Sequence, residues 1–168
     1  MQISLKWINE LVNLKTTTLD DLIEKLTLGG FEVEEILEFE INNQKQVALE
    51  ISTTANRSDS LAIQGISIEI AALFNKPSKI LTYSIKTLEW QETLQKFSKP
   101  ILTEKSCSIL LSVIIENLTN FTTPKWIKEK LISSGITATN DLLDFQNYIL
   151  LETGYPFAFY DFKIKHFH

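Results

Sequence analysis

The chain has 168 residues, 44% hydrophobic and 22% charged, with a formal net charge of −5. That length holds one ordinary domain or two small ones, and the acidic balance argues against a free-standing nucleic-acid binder, which carries a basic face. A single cysteine, Cys107, excludes an internal disulfide.

No apolar run reaches the length of a bilayer-spanning helix. The opening MQISLKWINELV has neither the layout of a signal peptide nor that of an arginine-rich transit peptide. The protein is therefore expected to work where it is made. Heavy use of lysine, isoleucine, asparagine and phenylalanine points to an AT-rich coding genome.

Apolar spacing predicts a first helix over Leu5–Leu14, with Trp7, Ile8, Leu11 and Val12 on one face. Thr18 is placed to cap a second helix, with Asp21 three residues on, close to a capping box. Leu19, Leu22, Ile23 and Leu26 form its stripe, and Gly29-Gly30 ends it. The period then changes to two. Phe31, Val33, Leu37, Phe39 and Ile41 are in phase along a strand interrupted near Glu34-Glu35. Asn42-Asn43 marks a turn, because asparagine tolerates positive φ. The strand returns over Val47–Ile51.

The stretch from Val47 to Pro77 organises the rest. Its polar turn, Ser52–Ser58, contains Arg57, the only arginine in the chain. Arginine offers a planar fork that lysine lacks, so Arg57 is expected to bind backbone carbonyls or Asp59 and so lock its own turn. Asp59 is placed to cap the next helix. Ile63, Ile66, Ile70, Leu73 and Phe74 make its stripe, and Asn75-Lys76-Pro77 stops it. The first unit reads helix, helix, hairpin, helix.

Leu81–Ile85 could be a short strand, and Pro100 breaks any helix near it. The division expected is an N-terminal α+β domain over 1–95, a linker over 96–105 and a second unit over 106–168. The second unit opens on an apolar run, Ile109–Ile115, that reads as an interior strand. Thr123-Pro124 starts a helix that turns Ile127, Leu131 and Trp126 inward and stops at Gly135. Asn140 or Asp141 caps another helix, which ends at Gly154. The tail FAFYDFKIKHFH alternates like a strand. Two strands and two helices do not cover both faces of a sheet, so the chain is expected to be truncated or to need a partner. The first unit is expected to fold on its own and the second is not.

Several longer segments resemble one family, the β subunits of phenylalanyl-tRNA synthetases of bacterial and organellar type. ISLKWINELVNL resembles their first helix, and LIEKLTLGGFEVEEI their second helix and following strand. EISTTANRSDSLAIQGISIEIAALFNKP is similar to their E-I-T-P-N-R-x-D segment, with Ala55 where proline is usual. TPKWIKEKLISSGITATNDLLDFQNYILLETGYPFAFYD resembles the start of their editing domain. The resemblance spans nearly the whole chain in order. Asn42-Asn43-Gln44 closes the place where bacterial members carry an inserted oligonucleotide-binding fold, as in plastid-encoded members.

The resemblance implies an α+β fold: a helix-helix-hairpin-helix unit followed by the truncated start of an editing-type domain. It implies part of an enzyme that joins phenylalanine to its tRNA using ATP and magnesium, as an α2β2 tetramer with a synthetase α subunit, in a plastid or alternatively a bacterial cytoplasm. No catalytic residue for that step and no metal ligand falls on this stretch, which is expected to be structural and subunit-contacting. A stand-alone, non-enzymatic interaction module derived from the same subunit is the alternative. Asn56, Arg57 and Asp59 form the structural motif. In the editing segment N-Y-x-x-x-E-x-x-Q-P-x-H, Asn147, Glu152 and Pro156 match. Tyr155 replaces the glutamine and Ala158 the histidine. Alanine cannot move a proton or place a water, so the pocket is expected to be degenerate, with Tyr155 filling it and Glu152 facing solvent. The carboxylates Asp20-Asp21, Glu34-Glu35 and Glu38-Glu40 read as surface charge. Lys163, Lys165, His166 and His168 read as one polar strand face.

Overall fold

The computed structural model describes residues 1–79, 115, 118 and 122–160. Strands β1 (Gln2–Ser4), β2 (Phe31–Ile41) and β3 (Gln44–Thr53) form an antiparallel sheet in the order β1-β3-β2. The β2–β3 hairpin closes on Asn42 and Asn43, at φ 52° and 59°, the positive angles that a tight hairpin turn requires. Strand β1 is a correction to the sequence reading. Three residues are too few to show a period of two, yet Gln2, Ile3 and Ser4 pair with Glu50, Leu49 and Ala48.

The interruption expected near Glu34-Glu35 is a β-bulge: Val33 pairs with Ile51 and Glu35 with Glu50, leaving Glu34 as the extra residue. One extra residue reverses which face each later side chain takes. Phe31 and Val33 therefore share the face of Ile51, whereas Leu37 and Phe39 lie opposite Ala48 and Gln46 on the other face. A single apolar phase in the sequence thus serves two faces of the sheet.

Helix α1 (Leu5–Leu11) is shorter than expected. Val12 is already extended and bridges to Ser78, while the Asn9 side chain accepts the backbone N–H of Leu14. Helix α2 (Leu19–Leu28) is capped by Thr18, whose hydroxyl accepts the Asp21 N–H at 3.2 Å, and Gly30 takes φ 87° beyond its end. Helix α3 (Ile63–Leu73) starts four residues after Asp59. A single 3-10 turn, Ser58–Ser60, intervenes, and Ala62 precedes the helix with no side-chain cap. Asp59 therefore does not cap it.

Helix α4 (Lys125–Ser133) follows Pro124 and also lacks a side-chain cap, because the Thr123 hydroxyl is committed to Asp144. Ile127 and Leu131 are buried, but Trp126 is about half exposed. It meets Tyr148 edge-on at 5.1 Å rather than entering the core. Helix α5 (Leu142–Thr153) is capped by Asp141 and ends at Gly154, with φ 77°.

The core is continuous from α1 to α5. Trp7, Ile8, Leu26, Phe31, Leu49, Ile51, Ile66 and Ile70 belong to one buried cluster that also takes in Ile127, Leu131 and Tyr148. Trp7 stacks on Tyr148 with centroids 5.5 Å apart and planes 8° from parallel. Helices α4 and α5 thus belong to the same compact unit as the hairpin. The physical reason is the half-covered apolar surface of α1 and β1, which α4 and α5 complete. The second compact unit, 82–119 and 162–168, falls almost wholly outside the described residues. So do the strand expected at 81–85, the linker at 96–105, the run 109–114 and the tail from 161 onward.

Candidate functional site: an arginine clamp and the α5 segment

Strand β3 leaves the sheet through a turn in which the Arg57 N–H donates to the Thr54 carbonyl at 2.9 Å. Asn56 lies exposed on that turn. Ser60, fully buried, donates its N–H and its hydroxyl to the Arg57 carbonyl at 3.1 and 2.7 Å. The guanidinium grips both oxygens of Asp59, Nε to Oδ1 at 3.2 Å and Nη2 to Oδ2 at 3.1 Å. Nη2 also reaches Glu69 Oε1 on α3 at 2.7 Å, and the guanidinium lies 5.3 Å from the Phe31 ring centroid.

One side chain therefore ties the turn to α3 and to the start of β2. Of the two partners expected for Arg57, Asp59 is the one its fork takes; Glu69 was not foreseen. Lysine has no bidentate fork for the same grip. The Asp59 hydrogen bond pushes the Arg57 guanidinium above its usual range; desolvation is the next largest effect and opposes it, and the nearby Glu69 charge adds to the rise. The hydrogen bond from Arg57 holds the Asp59 carboxyl below the usual carboxylate range. Gly65 lets α3 approach the turn, since a Cβ there would sit 1.9 Å from the Asp59 carbonyl oxygen.

The second cluster is built around Asp144, in the first turn of α5 and fully buried. Its Oδ2 accepts the Thr123 hydroxyl at 2.5 Å and the Asn140 N–H at 2.8 Å. Its Oδ1 accepts the Thr139 N–H at 2.8 Å and the Thr139 hydroxyl at 3.1 Å. Burial pushes this carboxyl up, but the four hydrogen bonds together outweigh burial and hold it below the usual carboxylate range. Asn140, at φ 65°, returns its side-chain oxygen to the Thr123 N–H. The sequence reading missed Asp144. The available signal was an acid in the first turn of a helix, five residues after a threonine, which reads equally well as ordinary dipole compensation.

The editing-like residues do not converge on one surface. Asn147 is half-buried on α5. Glu152 is fully buried, which corrects the expectation that it faces solvent. The last turn of α5 packs toward α3, where a Cβ on Gly154 would lie 3.3 Å from that of Ala62. Tyr155 is 78% exposed and so fills no pocket among the described residues, and Ala158 is exposed as well. The acidic pairs Asp20-Asp21, Glu34-Glu35 and Glu38-Glu40 are all exposed, as expected of surface charge. Lys163, Lys165, His166 and His168 lie outside the described residues. Among the described residues no three His, Cys, Asp or Glu side chains gather to hold a metal ion. The two clusters hold segments in place and carry no evident acid–base pair.

Residues 106–165 match the family model of the B3/4 domain. The chain is 63% identical to the chloroplastic phenylalanine–tRNA ligase β subunit of Phaeodactylum tricornutum, over 96% of this chain and 23% of that protein. It is 34% identical to the chloroplastic β subunit of Porphyra purpurea, over 97% of this chain and 22% of that one. A Synechococcus β subunit is 33% identical over 68% of this chain and 14% of its own length. The chain thus spans less than a quarter of the length of these relatives.

Proposed function

We propose, for a chain that belongs with the phenylalanine–tRNA ligase β subunits, that it is the N-terminal part of such a subunit and does structural, subunit-contacting work there. The whole enzyme attaches phenylalanine to its tRNA using ATP and magnesium, with a synthetase α subunit in an α2β2 assembly, and works in the plastid. The observation that carries this reading is the 63% identity to a chloroplastic β subunit over 96% of the chain. Among the described residues no three His, Cys, Asp or Glu side chains gather as a magnesium site would require. In this reading magnesium and ATP are held by other parts of the enzyme. Within the stretch, the domain division is read as an N-terminal α+β core that α4 and α5 complete, followed by the rest of an editing-type domain.

The editing function of this stretch is proposed to be lost. An apolar pocket rejects an added hydroxyl only about a hundredfold, so discriminating tyrosine needs polar groups held in place. The exposed Tyr155 and Ala158 and the buried Glu152 do not supply them at one surface. The test is deacylation of preformed tyrosyl-tRNA by the assembled enzyme carrying this sequence, beside a Tyr155→Gln, Ala158→His double variant. Little or no deacylation by the unaltered enzyme is expected. Robust deacylation would refute the loss of editing. Failure of the chain's own β subunit to assemble with an α subunit into a phenylalanine-charging enzyme would refute the larger reading.

A further inference from the structure

Helices α1 and α4 each present an aromatic ring and a charge about one turn apart. Trp7 and Glu10 lie three residues apart on α1, and Trp126 and Lys130 four apart on α4, the spacings that set side chains next to each other. Helix α5 adds Tyr148 between the two indoles. Its ring stacks on Trp7 at 5.5 Å and takes Trp126 edge-on at 5.1 Å. The three rings form one continuous aromatic wall.

The Lys130 ammonium lies against that wall. It is 4.7 Å from the Trp7 ring centroid, 5.5 Å from that of Trp126 and 5.7 Å from that of Tyr148. All three fall inside the reach of a cation–π contact, about 6 Å. Glu10 Oε2 accepts from the same ammonium at 2.7 Å. The Lys130 side chain is only 13% exposed, far less than lysine usually is, yet Trp126 and Glu10 are both half open to solvent. The ammonium is therefore enclosed by rings on one side and met by a carboxylate on the other.

This arrangement selects one chemistry. An anion would face the Glu10 carboxylate and the negative faces of the rings. A metal ion would ask for several oxygen ligands, and no three His, Cys, Asp or Glu side chains gather among the described residues. An organic ammonium gains from both features, and aromatic cages are the usual way in which proteins recognise such ions. We propose that Trp7, Trp126 and Tyr148, with Glu10, form a cage for a primary alkylammonium ion, which the chain fills with its own Lys130. Lys130 acts as a tethered ligand, and cutting back its side chain opens the cage to a free ammonium of the same shape.

The test is chemical rescue of Lys130→Ala. The atoms removed correspond to n-propylammonium, so n-propylammonium chloride is the probe, with propan-1-ol and sodium chloride as matched controls. Thermal midpoint and tryptophan fluorescence are followed. The variant should melt below the parent, and n-propylammonium should raise its midpoint saturably, while the two controls do not. The parent, whose cage is filled, should show no saturable response. Adding Trp126→Ala removes one half-exposed ring and should weaken the probe about threefold. Equal rescue by propanol would show an apolar slot, and equal rescue by sodium chloride an ionic-strength effect; either, or no saturable rescue, overturns the proposal. If Lys130→Ala does not fold, Lys130→Met and Glu10→Gln decide. The first removes the ammonium from rings and carboxylate alike, the second removes the carboxylate charge alone. Lys130→Met should lower the midpoint more than Glu10→Gln, and equal losses would overturn the cage.

Discussion

Gly65→Ala sets helix propensity against a steric contact, and the structure decides which wins. Alanine in place of glycine inside a helix gains about 1 kcal/mol. At Gly65, however, the new Cβ would lie 1.9 Å from the Asp59 carbonyl oxygen, 3.0 Å from its carbonyl carbon and 3.2 Å from Ser60 Cα, where ordinary contact begins at 3.4 Å. The obstructing atoms are all backbone, so no rotamer change relieves them. Either α3 tilts away from its packed stripe, or the turn shifts by well over an ångström. Overpacking of this kind costs about 1–3 kcal/mol. Displacing the turn also endangers the two hydrogen bonds from Ser60 to the Arg57 carbonyl, worth about 1 kcal/mol each. Subtracting the propensity gain leaves a net loss of about 2–4 kcal/mol. For a domain of this size that lowers Tm by roughly 4–16 °C. Urea denaturation followed by tryptophan fluorescence reads it directly, since Trp7 is in the core. Ala72→Gly, at an exposed site on the same helix, is the control and should cost about 1 kcal/mol through propensity alone. A Gly65→Ala midpoint equal to or above the parent would show that α3 and the turn are free to separate, and would refute the argument.

Arg57→Lys keeps the charge but loses the fork on Asp59. The midpoint should fall, and the difference should shrink as salt rises, because the pair is solvent-accessible and therefore screened; identical midpoints at low salt would sink the clamp. Asp144→Ala removes the acceptor of four hydrogen bonds at a buried site and should cost about 2–4 kcal/mol. The Asp144 carboxyl is held below its ordinary value of 3.8 in the folded chain. Its contribution is thus fully present above that value and is lost as pH falls through the lower, folded-state value. The parent should accordingly lose its advantage over Asp144→Ala in strong acid, and a constant gap from neutral pH to strong acid would contradict this. Leu131→Ala tests the shared core. Leu131 is fully buried in the cluster that holds Trp7 and Leu49, so truncation should cost about 2–5 kcal/mol and shift the Trp7 fluorescence transition with it. An unaltered Trp7 transition would show that α4 is dispensable to the hairpin core.

The features legible in the sequence were those decided within a few residues. The Asn42-Asn43 turn, the Thr18 and Asp141 caps and the Gly30, Gly135 and Gly154 helix ends each depend on one backbone angle or one nearby N–H. Residue type alone fixes such preferences. The strong apolar stripes of α2 and α3 were legible for the same reason, because their period is a property of the helix itself. What only the tertiary structure decided involves segments far apart in the chain. The face switch at the bulge depends on which β3 residue Val33 meets. The second partner of Arg57, Glu69, is supplied by the packing of α3 against the turn. Thr123 gives up its cap for a carboxylate 21 residues away, and Glu152 is buried although the sequence sets it near a helix end. Local preferences of this kind are worth about 1 kcal/mol or less each. Burying a large side chain or satisfying a buried carboxylate is worth several times that, so packing between distant segments overrides them wherever the two conflict.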